Sequence, residues 1–346
     1  MSLDQYRLLG RSGLRVSPLA LGTMTFAVEG WGSSKEEAAR MVDIYIDQGG
    51  NFIDTANFYG GMGGSEEWLG LLIQGRRDPL VISTKYSLAT HPGDPNNAGN
   101  HRKSMILSVE DSLRRLQTDY IDLLYLHMWD YRTPVDEILR AFDDLVRQGK
   151  VLYTGLSDLP AWQASRMQAI AELRGWSQFC ALQISYSLIE RTVERELVPM
   201  AREMGMAVSP WSPLGGGVLT GKYTGLAGEG GDSTRGVMNA ATGRLNARSL
   251  ELAGLVQDIA REAGCSQAQA ALAWVLSKPG VVAPVLGVRT PGQLEDNLGA
   301  LDLRLDPDQL ARLDAASAVP LGFPHETLKG PFMQTAFGGT CVEERD

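Results

Sequence analysis

Four side chains able to hold or move a proton stand at or just beyond apolar runs of this 346-residue chain. Asp54 closes the run Asn51-Phe52-Ile53, and Tyr59 follows five residues later, just before Gly60. Lys85 follows Leu80-Val81-Ile82-Ser83-Thr84, and His127 follows Ile121-Asp122-Leu123-Leu124-Tyr125-Leu126. A phenol has a pKa of about 10 in water, so Tyr59 is a poor acid near neutrality unless its phenolate is stabilised. A neighbouring ammonium favours the ionised phenol, and an imidazole hydrogen bond helps. Asp54 would hold Lys85 charged and in place. Such a set can protonate a carbonyl oxygen and leave the carbonyl carbon open to hydride. Taken singly, the tyrosine reads as a loop aromatic, the aspartate as a cap and the histidine as a core imidazole. The constellation carries more than its members.

These residues need a scaffold that brings many strand ends together. Tyr6 to Ser17 turns at Gly10-Arg11-Ser12-Gly13, a hairpin ahead of the main body. Pro18 to Gly22 is a short buried strand. Ser34-Lys35-Glu36-Glu37 is a capping box that opens a helix to about Gln48, stopped by Gly49 and Gly50. Ser65-Glu66-Glu67 opens the next helix, with Tyr59 left on the loop before it. Leu80 to Thr84 is a strand, Tyr86 to Asn100 a long loop, and Asn100 the expected cap of a helix over 101–116. After the strand Ile121 to Leu126, Thr133-Pro134 reads as N-cap and first helical position. Further strands are expected over 151–156, 179–183, 207–210 and 281–286. Helices follow near Ala161, Val193, Leu250, Gln267, Pro291 and Asp306. Gly215 to Gly243 is a glycine-rich segment, and the tail from about Val319 reads as irregular.

Eight strand–helix units with continuous apolar strands point to one (β/α)₈ TIM barrel spanning the chain, with an N-terminal hairpin and extra C-terminal helices. The competing architecture is an open doubly wound sheet. No strand here is followed by G-x-G-x-x-G, and polar residues follow many strands rather than one switch point. The charge balance of −9 argues against nucleic acid or an anionic membrane surface as partner. No apolar run approaches the roughly 18 residues of a membrane span. The first residues show no secretory pattern, and Cys180, Cys265 and Cys341 form neither a disulfide framework nor a zinc pattern. A cytoplasmic protein without a metal is expected.

The ordered set Asp54-Thr55-Ala56-Asn57-Phe58-Tyr59-Gly60, Ser83-Thr84-Lys85 and Leu126-His127-Met128-Trp129-Asp130 resembles the aldo-keto reductase superfamily. The resemblance implies the barrel fold and a catalytic tetrad of Asp54, Tyr59, Lys85 and His127. It also implies a nicotinamide dinucleotide along a chain of segments. Gly22-Thr23-Met24 and Asp54 would contact the nicotinamide half, and Ser157, Asp158 and Gln183 its carboxamide. The family usually carries Asn where this chain has Asp158, and an ionised carboxylate accepts hydrogen bonds but cannot donate them. Trp211 would stack on the nicotinamide, within Trp211-Ser212-Pro213-Leu214, and Gly216 and Lys222 would follow the pyrophosphate. The stretch Gly216 to Tyr223 nearly spells a P-loop, but Tyr223 cannot supply the hydroxyl that Mg²⁺ needs. Gly287, Arg289, Gln293 and Asn297 would hold the adenosine end, where a helix start and a guanidinium suit a 2′-phosphate. That implies NADP, with NADPH preferred over NADH.

On the substrate side Phe26, Trp31, Tyr86 and Trp129 follow strand ends and would form an aromatic mouth with Tyr59 and His127. Tyr131 stands near them. Such walls suit an aryl, quinone or bulky alicyclic carbonyl, or a sugar face. The implied activity is hydride transfer between nicotinamide and a small carbonyl or alcohol, in a chain free to form oligomers. The alternative is a cofactor-binding regulatory subunit resembling potassium-channel β subunits. A metal-dependent hydrolase is disfavoured, because only His127 falls convincingly at the mouth.

Overall fold

The computed structural model describes residues 1–223 and 234–340. A hairpin comes first, β1 (Arg7–Leu8) and β2 (Arg15–Val16), paired antiparallel. Strand and helix then alternate through β3 (Ala20–Gly22), α1 (Lys35–Asp47), β4 (Phe52–Asp54), α2 (Tyr59–Leu72), β5 (Val81–Tyr86) and α3 (Arg102–Leu116). The series continues with β6 (Ile121–Leu126), α4 (Val135–Arg147), β7 (Val151–Ser157), α5 (Ala161–Arg174), β8 (Phe179–Ser185) and α6 (Leu197–Glu203). After β9 (Ala207–Trp211) come α7 (Thr234–Ala241), α8 (Ala247–Ala263), α9 (Gln267–Leu276), β10 (Val285–Gly287), α10 (Pro291–Leu298) and α11 (Pro307–Ser317). Two short helices end the described chain, α12 (His325–Lys329) and α13 (Phe332–Ala336).

Eight parallel strands follow one another in the order β10-β3-β4-β5-β6-β7-β8-β9. Val208 of β9 donates to the Gly280 carbonyl and accepts from the Val282 amide, which brings the last strand against the segment leading to the first. The result is a nearly closed (β/α)₈ barrel, and the sequence pattern anticipated it. Because side chains alternate across a strand, every second residue enters the barrel. The interior holds Phe52, Val81, Leu123, Ala181 and Ala207, joined from the hairpin by Leu9 and Val16. The intervening residues face outward against the helices, as Ile53 and Ile82 do. Gly155 of β7 is required by this packing: a Cβ there would lie 2.4 Å from the Tyr125 ring.

Several local expectations change in the tertiary structure. The Ser34 capping box forms, with Glu37 closing it. Asn100, however, does not cap α3; His101 does, through Nδ1 accepting from the Ser104 amide. Asn100 is engaged elsewhere, donating to the Met128 carbonyl and accepting from the Asp130 amide. Thr133 likewise donates to Asp130 and caps nothing, so α4 starts after Pro134 without a side-chain cap. β5 runs two residues beyond Thr84, which places Lys85 inside the strand. In α2 the first residues are not regular helix: Gly60, Gly61 and Met62 have φ of 67°, 72° and 71°. Tyr59 therefore stands on a left-handed turn, a conformation that two of these three positions meet with glycine. The tail, expected to be irregular, contains α12 and α13; one-turn helices leave no periodicity to read. Residues 224–233 of the glycine-rich segment and Cys341 lie outside the described residues.

No helix among the described residues is long and apolar enough to cross a membrane. One ion pair ties α2, α3 and β5 together. Glu66, wholly buried, accepts from Arg115 Nε at 2.7 Å and from Thr84 Oγ1 at 2.5 Å. Arg115→Ala leaves that carboxylate buried without its cation, a change that costs about 3–5 kcal/mol. Urea unfolding followed by circular dichroism should show the loss, and Glu66→Gln added to Arg115→Ala should recover part of it.

Candidate active site

At the carboxyl ends of the strands the barrel interior turns polar. β4 ends on Asp54, 2% exposed, whose cross-strand neighbours are Gly22 of β3 and Ser83 of β5. Alternation brings Lys85, 1% exposed, into the same interior. Its Nζ donates to Asp54 Oδ2 at 2.6 Å and to the Thr55 carbonyl at 2.7 Å. Asp54 Oδ1 accepts from Ser83 Oγ at 2.7 Å and from Gln183 Nε2 at 2.9 Å. Every partner of this carboxylate is thus a donor, as a buried anion requires.

Tyr59 lies over the pair. Lys85 Nζ is 4.8 Å from the centroid of the Tyr59 ring, and the His127 ring meets Tyr59 edge-on at 5.8 Å. All four expected proton-handling residues therefore converge. Burial opposes the charge on Lys85, but Asp54 and Tyr59 outweigh it and raise the ammonium's pKa. The phenol departs from expectation. Burial raises its pKa, and although Lys85 pulls it back, the net direction is upward. Tyr59 is held as a neutral phenol, the form that gives a proton. Burial, with Lys85 adding to it, pushes His127 down to about 3, so near neutrality its imidazole is uncharged.

A cavity of about 740 Å³ opens over these groups, within the range of roughly 300–1,000 Å³ typical of small-molecule and cofactor sites. At its inner end Asp54, Tyr59 and His127 share the wall with Ser157, Asp158 and Gln183. Gly22, Met24, Ser212, Pro213, Leu214, Gly216 and Lys222 continue it, and Gly287, Arg289, Gln293 and Asn297 line its far end. Trp211, the last residue of β9, is fixed on two sides. Its Nε1 donates to Asp158 Oδ1 at 3.1 Å, and the Arg244 guanidinium lies 5.3 Å from its ring centroid. Asp158 and Ser212, each the first residue after its strand, have φ of 41° and 52°. Left-handed non-glycine residues cost roughly 1–3 kcal/mol each and persist where surrounding contacts hold them, commonly at functional sites.

Four expected contacts are not on the cavity wall. Thr23 is buried and donates to the Asp54 carbonyl, 3.1 Å away. Phe26 is folded back by a turn onto the Thr23 carbonyl and sits wholly in the core. Tyr86 follows Lys85 in β5, so alternation sends it outward onto Phe142, with its hydroxyl donating to the Asn100 carbonyl. Trp129 packs against Tyr131 and the outer core instead of the cavity. Trp31 does line it. Phe58, Leu88, Ser266 and Gln267 were not expected there. Ser266 was legible as a helix start, since it and Gln269 form a capping box, but nothing local told which way that start faces. No cluster of three or more His, Cys, Asp or Glu able to hold a metal occurs among the described residues.

The aldo/keto reductase family model matches residues 18–318. A norsolorinic acid reductase of Emericella nidulans is 39% identical, over 90% of this chain and 81% of its own. An aryl-alcohol dehydrogenase of Pestalotiopsis microspora is 38% identical, over 99% and 88%. An uncharacterized oxidoreductase of Bacillus subtilis is 40% identical, over 90% and 95%.

The neutral His127 has a consequence for stability. Its pKa falls from 6.5 in the unfolded chain to about 3 when folded. The unfolded state therefore binds the extra proton first. The stability this group contributes is complete above pH 6.5 and is lost as pH falls towards 3, at about 1.4 kcal/mol per pH unit. Between pH 7 and pH 5 the wild type should lose about 2 kcal/mol more than His127→Gln, whose side chain does not titrate. Urea midpoints of both proteins at the two pH values check it.

Proposed function

This chain belongs to the aldo/keto reductase family, and on that premise we propose that it is an NADPH-dependent oxidoreductase that interconverts an aryl carbonyl with its alcohol, using Tyr59 as general acid. The observation that carries the proposal is the buried Asp54–Lys85 pair beneath Tyr59, at the inner end of a cavity that continues to Arg289. The residues fit a nicotinamide dinucleotide. Trp211 offers a flat face braced by Asp158 and Arg244, and Gly216 and Lys222 line the middle.

At the far end α10 begins with Thr290 as N-cap and Pro291 as its first residue. Arg289 stands exposed on the wall there, its guanidinium without a hydrogen bond or ion pair among the described residues. A helix start and a guanidinium together suit a phosphate, which supports NADPH over NADH.

The bound dinucleotide would supply the hydride. Tyr59 would give its proton to the carbonyl oxygen, with Lys85 beneath the ring stabilising the phenolate left behind. The neutral imidazole of His127 orients that oxygen by hydrogen bonding. Asp54 keeps Lys85 charged without touching the substrate. Trp31, Phe58 and Leu88 give the substrate end an apolar wall, which favours an aromatic ring. The names of two relatives, a norsolorinic acid reductase and an aryl-alcohol dehydrogenase, support the same class. A reducing compartment such as the cytosol is consistent with the free thiols Cys180 and Cys265.

Tyr59→Phe keeps the ring and removes the proton. Its turnover on an aryl aldehyde should fall about 10²- to 10⁴-fold, with NADPH affinity within about twofold of wild type. Retained turnover would refute the acid role. Arg289→Ala should weaken NADPH about 10- to 100-fold, the worth of roughly 1.5–3 kcal/mol in a hydrogen bond to a charged group, and leave NADH nearly unchanged. Fluorescence titration of both cofactors decides it, and equal losses would remove the basis for NADPH.

A further inference from the structure

We propose that Asp158 makes this site prefer the oxidised, positively charged nicotinamide to the reduced, neutral one, so that the protein stands mainly in the form that holds the hydride acceptor. The inference rests on the nicotinamide reading above and deepens it.

It follows from the charges at the inner end of the cavity. Asp54 and Lys85 are 2.6 Å apart, both buried, and cancel one another. His127 and Tyr59 are neutral, for the reasons already given. Asp158 is the carboxylate left over on this part of the wall. Among the described residues its side chain accepts from the neutral Trp211 indole and enters no ion pair. Burial raises the pKa of Asp158, opposed by the Trp211 hydrogen bond and by Lys85, whose ammonium is already committed to Asp54 and the Thr55 carbonyl. Arg244 lies over the Trp211 ring and forms no ion pair with Asp158. The net charge around a ring stacked on Trp211 is therefore that of Asp158, −1, because Asp54 is paired with Lys85 and Arg244 is set against Glu190 in the adjoining cleft.

Of the two redox forms, only the oxidised ring carries a positive charge. An unbalanced carboxylate held in a partly desolvated wall attracts that form and does nothing comparable for the other. The overall equilibrium, carbonyl + NADPH + H⁺ ⇌ alcohol + NADP⁺, is the same with or without the protein; tighter binding of NADP⁺ than of NADPH raises the share of the protein that holds the hydride acceptor.

Asp158→Asn tests the charge while keeping an oxygen that can accept from Trp211. Dissociation constants of NADP⁺ and NADPH are measured by fluorescence or calorimetry for the wild type, Asp158→Asn and Trp211→Phe. The preference for NADP⁺ should drop roughly tenfold in Asp158→Asn, mostly through weaker NADP⁺, as expected for one unit charge several ångströms away across a partly screened wall. In Trp211→Phe the carboxylate loses that donor but remains on the wall, so the preference should persist even where both affinities fall. Equal losses of both forms in Asp158→Asn, or a preference that drops as much in Trp211→Phe, would mean that Asp158 only positions the indole, and the proposal falls. The Trp211→Phe arm decides the matter if Asp158→Asn does not fold. A wild type that binds neither dinucleotide overturns the nicotinamide reading itself, a result distinct from an unchanged ratio.

Discussion

The arrangement of the site depends on one buried ion pair. Lys85 is almost wholly enclosed in a barrel, a place where an unpaired ammonium would be strongly disfavoured. Asp54 Oδ2 and the Thr55 carbonyl accept from it, and the other oxygen of Asp54 is held by Ser83 and Gln183. Three strands thereby supply one network: β4 and β5 the pair and Ser83, β8 the Gln183 amide, with a carbonyl from the residue after β4. The closed network lets a charged amine sit beneath Tyr59 without water around it.

Burial also sets the electrostatics of the groups above the pair. The residue types and their places at strand ends led to the expectation that Lys85 would draw the Tyr59 phenol towards ionisation. In the structure desolvation wins, and the phenol is held neutral. His127 is discharged by the same cause, with Lys85 as the second contributor. A low-dielectric site thus sorts its members into one neutralised ion pair and two uncharged hydrogen-bonding groups. In the proposed reaction this is a useful division, because the proton to be given is still present when the substrate arrives.

Around the mouth, backbone strain and side-chain bracing occur together. Asp158 adopts a left-handed conformation, and its carboxylate receives the Trp211 indole. Ser212, next to Trp211, is left-handed as well. Arg244 lies against the indole ring as a further contact. A ring that must present a flat face to a ligand gains from being fixed before the ligand binds, since less side-chain entropy is then lost.

Much of this was readable from the chain itself. Continuous apolar strands separated by capped helices implied a barrel, because parallel strands covered on both faces lose their alternating polarity. Asp54, Tyr59, Lys85 and His127 stood out because acid, phenol, amine and imidazole at successive strand ends have a joint chemistry. Direction and competition belonged to the tertiary structure. Tyr86 faces the helices because β5 extends through it, and Phe26 turns into the core; neither outcome is encoded in residue type. Asn100 and Thr133 looked like caps but are taken by the loop around Asp130, a choice between partners distant in sequence. Ser266 and Gln267 reach the cavity only because α9 begins beside it. Local pattern determines which elements form and which groups can react. Which face each presents, and whether burial or a neighbouring charge decides its protonation, depends on contacts that exist only after the barrel has closed.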